Sequence, residues 1–386
     1  METLRIGMFT WESLHSVQVG GIAPHVSELS EALAKKGHEV HIFTRIGDRN
    51  SYDEINGVYY QRCSHDQSGN IINQMDRMCD AMVERFKHVQ NLFGEFDILH
   101  GHDWHPVNAL NTLKARYGKN YVLTYHSTEW GRNGNTHGSW WEAKEISHRE
   151  WSGGYESKEV IVTSQNLKNE IQSLYSIPDY KINIIPNGIF PNKIKKNVDP
   201  GEIKKRYSLH PFAPVVLFIG RMRYQKGPDL LVEAIPSVLK ENWGVKFVFI
   251  GEGDMRPYCE HRAWQLNVRD QCRFLGYAHT EVALDWMNAC EVVCVPSRNE
   301  PFGIVVLEAW DACKPVVGTG AVQLINNFLN GVRGYYSPES IAWCINYVMG
   351  DLEESKKMGL NGKKLVDTKY NWHNIANNTI EVYKKI

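Results

Sequence analysis

The chain has 386 residues, 42% hydrophobic and 23% charged, which is enough for two domains that each bury a core of their own. Its 43 basic and 44 acidic residues leave a formal net charge of -1 and remove the electrostatic basis for a nucleic-acid partner. Composition also argues against integral membrane association, because no apolar run approaches the roughly 20 residues that span a bilayer. The first strand follows the start of the chain without a signal-peptide pattern, and the 8 cysteines include no Cys-x-x-Cys pair. The expectation is a cytoplasmic protein with reduced thiols.

Residues 5–9 read as the first strand, followed by Gly20, Gly21 and a helix in which Ile22, Val26, Leu29 and Leu33 keep helical spacing. Gly37 ends that helix and residues 40–44 form a second strand, completing one right-handed βαβ unit. Glycines at the helix's amino end let a phosphate or sugar approach the backbone, which singles out Gly21. A loop that needs positive φ is the alternative. Further strands are predicted at 96–99, 121–124, 160–163 and 182–185 with helical segments between, a mostly parallel doubly wound sheet. Pro186, Asn187 and Gly188 close it. The polar stretch to Pro200, with the basic cluster Lys193, Lys195, Lys196, Lys204, Lys205 and Arg206, reads as a solvated linker.

After the strand at 96–99 comes the run His100, Gly101, His102, Asp103, Trp104, His105. Three histidines and an aspartate this close raise the reading of a zinc hydrolase built on His100, His102 and His105, although the aspartate stands one place early for that pattern. His126 follows the strand at 121–124, where a histidine serves either structure or a ligand. Trp130, Trp140, Trp141 and Trp151 then fall in one Gly/Asn-rich segment, a candidate acceptor loop if their faces stack on sugars.

The pattern restarts with a strand at 215–219, Gly220 and Arg221, Lys226 and Gly227, a helix to Leu239 and a strand at 246–250. An arginine and a lysine bracketing a turn before a helix can clamp two phosphates, with surface salt bridges as the bland alternative. Gly251 and Gly253 make a Gly-x-Gly that lacks the third glycine of a dinucleotide fingerprint. A strand at 291–295 enters the turn Pro296, Ser297, Arg298, Asn299, which carries Glu300, and a helix begins near Phe302 and Gly303. Glu308 lies within that helix among apolar neighbours and is expected to be buried with a partner. A strand at 315–317, then Gly318, Thr319 and Gly320, and a last helix from Tyr370 complete the chain.

Glu300 and Glu308 joined through Pro301, Phe302 and Gly303 resemble the signature of the retaining, family-4-type glycosyltransferases that include glycogen, starch and sucrose synthases. Gly220-Arg221 with Lys226-Gly227, the His100 to His105 run and His126 match the same family in the same order. The resemblance implies the α/β GT-B fold, two Rossmann-like doubly wound domains facing across a cleft. Residues 1–190 would form the acceptor-side domain, 191–369 the nucleotide-sugar domain, and 370–386 a final helix crossing back to the first. It implies that Glu300 contacts the transferred sugar, with His126 and Asp103 completing the catalytic set. Gly21, Arg221, Lys226, Gly251, Phe302, Gly303 and Glu308 would bind the donor, the arginine and lysine at its diphosphate and Glu308 at its ribose. No metal and no cofactor is implied.

The expected reaction moves a hexose, glucose above others, from a nucleotide diphosphate sugar to a sugar or α-glucan hydroxyl with retained configuration. Two departures bear on the donor. Val17, Gln18 and Val19 stand where bacterial glycogen synthases have a lysine, and Thr319, Gly320 and Ala321 stand where they have Thr-Gly-Gly. UDP-, ADP- and GDP-hexose therefore all remain open. The rivals from other classes are a sugar-nucleotide binding protein that has lost catalysis and the zinc hydrolase.

Overall fold

The structure is a computed structural model and describes residues 3–386. The chain runs β1 (Arg5–Phe9), α1 (Ile22–Ala34), β2 (Glu39–Arg45), β3 (Tyr52–Ile55), β4 (Val58–Cys63), α2 (Ile71–Phe93), β5 (Ile98–His102), α3 (Val107–Tyr117) and β6 (Tyr121–Tyr125). It continues through α4 (Glu129–Arg132), α5 (Trp141–Glu156), β7 (Glu159–Val162), α6 (Gln165–Tyr175), β8 (Ile182–Ile184), α7 (Pro200–Arg206), β9 (Val215–Ile219), α8 (Pro228–Glu241) and β10 (Lys246–Ile250). Last come α9 (Arg256–Gln265), β11 (Cys272–Gly276), α10 (Thr280–Ala289), β12 (Val292–Val295), α11 (Ile304–Asp311), β13 (Val316–Thr319), β14 (Gly331–Gly334), α12 (Pro338–Gly350), α13 (Leu352–Thr368) and α14 (Trp372–Tyr383). Among the described residues no helix is long and apolar enough to cross a membrane.

Two compact units result. The first comprises the chain through Gly188 together with Trp372–Ile386, the second Ile189–Asn371. In the first, eight strands lie in the order β3-β4-β2-β1-β5-β6-β7-β8, all parallel except the β3-β4 hairpin. The strand prediction omitted that hairpin, because Tyr52 to Ile55 alternates exposed and half-buried residues and carries two acids. The order reverses between β1 and β5, the place where the carboxyl ends of parallel strands open a crevice. α14 closes this unit over α1: Trp372 is 1% exposed and its indole N-H donates to Glu28 at 2.5 Å. Tyr383 from the same helix meets His100 Nδ1 at 2.8 Å.

The second unit is a six-stranded parallel sheet in the order β11-β10-β9-β12-β13-β14, reversing between β9 and β12. Its strands are runs of Val, Ile and Phe, as sheets covered by helices on both faces require. α8 and α12 cover one face, and α11 with α13 cover the other, where Trp310 is fully buried and donates to the Asn330 carbonyl at 2.9 Å.

Two expectations are corrected. β5 does not end at residue 99 but runs through His102, so His100 and His102 are strand residues on one face. The linker expected from 189 to 206 is solvated only in part, with Lys193, Lys195, Lys205 and Arg206 exposed. Ile189 and Ile194 enter the core, and Asp311 accepts the Asn192 and Ile194 amides at 2.8 Å each while meeting Lys363 at 3.2 Å. α7 turns Lys204 inward, 2% exposed and paired with Glu291 at 2.8 Å.

Replacing Asp311 by alanine takes the acceptor from two backbone N-H groups and leaves Lys363 with Asp367 alone, so the second unit should lose about 2 kcal/mol of stability. Urea titration followed by a probe of that unit measures it. Wild-type stability in the variant would mean that the segment is not held this way.

Candidate functional site

In the second unit the site residues gather on the loops after β9 and β12, which flank the sheet's reversal point. The turn Tyr224 to Lys226 ends at Gly227, in the left-handed region at φ 63. A Cβ there would lie 2.1 Å from the Pro296 carbonyl, so only glycine lets this turn seat on the loop after β12. That seating brings Lys226 Nζ to 2.9 and 2.8 Å from the two oxygens of Glu300. Glu300 is buried, and Ser297 Oγ donates to it at 2.8 Å. The Thr319 hydroxyl at the end of β13 in turn donates to the Ser297 carbonyl.

Around this pair, two groups not singled out from sequence fix the loops to each other. Arg298 forks onto Asp229 at 2.8 and 2.6 Å and lies 3.9 Å over the Tyr224 ring, while its amide donates to the Gln225 carbonyl at 2.8 Å. A bidentate, ring-stacked arginine is a geometric clamp that a lysine would not reproduce. Sequence carried a faint signal in Arg298 beside Glu300, but its partner lies 69 residues away. Gly303 opens α11 at φ 92 with Phe302 buried behind it, and no side chain caps the first turn of α11. Glu308, expected to be buried, is half-buried, because α11 turns its Ile304, Val305 and Glu308 side partly outward. Arg221 is exposed. Gly251 has a structural reason to be glycine: at φ 138, a Cβ would stand 1.9 Å from the Gly220 carbonyl.

In the first unit, β5 and β6 bring a different set together. Asp103, at φ 57 and buried, accepts the His126 amide at 2.6 Å and the Ser127 amide at 3.4 Å, tying the ends of the two strands. His102 Nδ1 and His126 Nε2 lie 3.2 Å apart. The third member is His25, which the sequence reading passed over. Its Nδ1 meets the Asn187 side-chain oxygen at 2.8 Å, and its ring stands edge-on to His126 at 4.5 Å. The signal was available, since His25 shares the helical stripe of Ile22, Val26 and Leu29.

The cluster His100, His102, His105 does not form. His100 spends one ring nitrogen on Tyr383 and the other on Thr124 at 2.7 Å, and His105 stacks on Trp11 with centroids 4.3 Å apart. The trio that converges is His25, His102 and His126, with one ring nitrogen of each within 4.8 Å of the others. The Nε2 atoms of His25 and His102 are buried and meet no hydrogen-bonding partner among the described residues. At the glycine loop, Glu12 accepts the Val19 amide at 2.5 Å and the Gly20 amide at 2.7 Å. Those two amides are therefore engaged within the protein. Gly21 is exposed at φ -70, so positive φ does not account for it. Trp140, Trp141 and Trp151 are exposed on and beside α5.

Two family models match, "Glycosyltransferase Family 4" over residues 19–193 and "Glycosyl transferases group 1" over residues 201–365. An uncharacterized glycosyltransferase of Methanocaldococcus jannaschii is 36% identical over 392 residues, spanning 99% of this chain and 98% of that protein. The chain belongs to the glycosyltransferases. The glycogen synthase of Mycobacterium tuberculosis is 26% identical to this glycosyltransferase over 98% of the chain and 94% of its own length. The fold is that of the GT-B enzymes; the HepE protein of Anabaena, solved with UDP and glucose, superposes with a TM-score of 0.80 at 17% identity, covering 99% of this chain and 100% of its own.

Burial governs protonation in the first unit. It raises Asp103 from 3.8 to about 7, against the opposing pull of Arg132 and the His126 amide, and lowers His100 and His126 from 6.5 to about 3. His25, His102 and His105 are lowered as well. The rings are neutral at pH 7 and exchange hydrogen bonds rather than charge. The Asp103 contribution to stability is fully present below about 4 and is lost as pH rises through about 7. The histidine contribution runs oppositely, present above 6.5 and lost as pH falls toward 3. Asp103→Asn keeps an acceptor oxygen but cannot ionise. Its stability relative to wild type should rise between pH 4 and 7 and then level off, as chemical denaturation at a series of pH values will read. A difference that stays flat across that window would contradict the assignment.

Proposed function

We propose that this glycosyltransferase is a retaining hexosyltransferase that moves glucose from a nucleotide diphosphate sugar to the hydroxyl of an α-glucan or another sugar. One observation carries the reading: the Lys226–Glu300 pair at the carboxyl end of β12, beside the opening turn of α11. An ammonium has three donors, and Glu300 takes two of them. The third would reach a phosphate oxygen of the donor, while the free lone pairs of Glu300 would receive hydroxyls of the transferred sugar. One ion pair would thus join the leaving group to the group that leaves.

The chemistry follows from that placement. As the bond between sugar and diphosphate breaks, negative charge grows on the phosphate and the sugar becomes cationic. Lys226, Arg221 and the amides at Phe302 and Gly303 would stabilise the first, in the role a divalent metal plays elsewhere. Glu300 would stabilise the second. Glu308 would hold the ribose, and Gly251 would let the nucleotide approach the backbone. In this reading the first unit has sugar-recognising residues of its own, Gly21, His126 and Asp103, the histidine as a neutral hydrogen-bonding ring. Attack from the face that the diphosphate leaves, with a phosphate oxygen taking the acceptor's proton, keeps the configuration and asks for no enzyme nucleophile. Support for glucose and for a nucleotide donor comes from the glycogen synthase relative and from the Anabaena structure with UDP and glucose.

The test pairs UDP-, ADP- and GDP-glucose with oligosaccharide acceptors in EDTA and follows the new anomeric proton by NMR. An α-linked product is expected, and Lys226→Ala should lower kcat by about 100- to 1000-fold with the fold intact. A β-linked product, or activity that requires added metal, would contradict the reading. Ordinary turnover by the lysine variant would remove Lys226 from the chemistry.

A further inference from the structure

The carboxyl edge of the second unit's sheet also carries a cleft of about 900 Å³, which meets the Thr319-Gly320-Ala321 loop at Gly320 and holds none of Lys226, Glu300 and Glu308. Its walls come from the segment after β13, from the Tyr335–Tyr336 turn after β14, and from the first turns of α12. Tyr335, Tyr336 and Trp343 face it and are respectively 83%, 53% and 55% exposed. Tyr347, one turn beyond Trp343, is also exposed and extends the aromatic surface, with ring centroids 5.5 Å apart and planes 29° apart. Scattered exposed aromatics are ordinary, but four along one cleft and its rim are not.

The fold does not need these rings. α12 meets the core through Ile341, Ala342, Cys344, Ile345 and Val348, and Trp343 and Tyr347 lie on its other side. Their frame is nonetheless rigid. Ser337 Oγ accepts the Ser340 amide at 3.2 Å as the cap of α12, and Ser340 Oγ accepts the Tyr335 amide at 2.9 Å. Gly334 lets this turn close, since a Cβ there would come within 2.2 Å of Ser340 Oγ. The rings are thus presented by a turn that needs little ordering on binding.

The lining states what fits. Between the rings stand the side-chain amides of Gln323 and Asn327, and its charged groups are one arginine, Arg333, and one acid, Glu339. A lining balanced in charge has no pull for phosphate-rich ligands or anionic lipid surfaces. Aromatic faces with amides and hydroxyls between them match a ligand with apolar ring faces and equatorial hydroxyls. Such a ligand is a neutral carbohydrate chain.

We propose that this cleft is an accessory binding site for a neutral polysaccharide, which holds a remote stretch of the acceptor chain. The proposal rests on the glycosyltransferase reading with a glucan acceptor. It deepens that reading by adding a site that sets affinity for long acceptors and leaves short ones unaffected.

Native electrophoresis of the full chain in gels containing a soluble α-glucan, glycogen or amylopectin, tests it, alongside transfer to a short malto-oligosaccharide. Wild type should be retarded. Trp343→Ala and Tyr336→Ala should weaken polysaccharide binding roughly tenfold, with Trp343→Phe recovering most of it. KM for the polysaccharide should rise in step, while kcat and KM for the short acceptor stay at wild-type values. Wild type that migrates freely in every glucan gel overturns the proposal, and so does equal retardation of the alanine variants. Capture of a protein partner on this face without glucan retardation overturns it too. Retardation by a wild type that transfers no sugar to any acceptor supports the cleft and overturns the proposed function instead.

Discussion

A buried carboxylate held by one ammonium is the constraint on which the second unit's site depends. Glu300 has lost its water, and Lys226 with Ser297 supplies what replaces it. Separating the pair leaves Glu300 with Ser297 alone, at a cost below the roughly 3 to 5 kcal/mol of a fully buried pair because Lys226 is part-exposed. The loops after β9 and β12 must therefore meet within hydrogen-bonding distance, and much of the surrounding sequence serves that meeting. Gly227 seats on the Pro296 carbonyl, Arg298 forks onto Asp229, and Thr319 anchors the carbonyl of Ser297. In the proposed reaction the same pair would meet a diphosphate and a sugar, so the electrostatics that hold the loops are those the reaction would use.

The first unit solves a different problem. Five histidines and an aspartate lie at the ends of β5 and β6 and beside α1, and burial drives them all toward neutrality. Neutral rings can share hydrogen bonds in chains, as His102 and His126 do, where charged ones would repel. Asp103 adopts a left-handed backbone, which aspartate tolerates better than most non-glycine residues, and its side chain joins two strand ends. It is a positioning group for His126 as much as a candidate for contact with sugar.

Much of this was legible in the sequence, for reasons that particular residues show. The βαβ rhythm appeared because parallel strands buried on both faces read as unbroken Val, Ile and Phe, as at Val215–Ile219. Glu300, Lys226 and Gly303 stood out because each is the wrong residue for a core and sits at a strand end or helix start. What escaped depends on register and long-range partners. β5 extends through His102, three residues past the predicted end, which sends His100 to Tyr383 and away from any cluster. His25 drew no notice within an apolar stripe, and its partner Asn187 lies 162 positions along the chain. Lys204 looked like its basic neighbours, and only the turn of α7 shows that it faces Glu291.

The account's central claim is that Lys226 and Glu300 act on the reacting sugar diphosphate as one unit. A double-mutant cycle on kcat, using Lys226→Met, Glu300→Gln and both together in protein checked for its fold, measures this directly. If the pair works as a unit, the double variant should be little slower than the slower single variant. Losses that simply multiply would show that the two residues act independently, and would contradict the account.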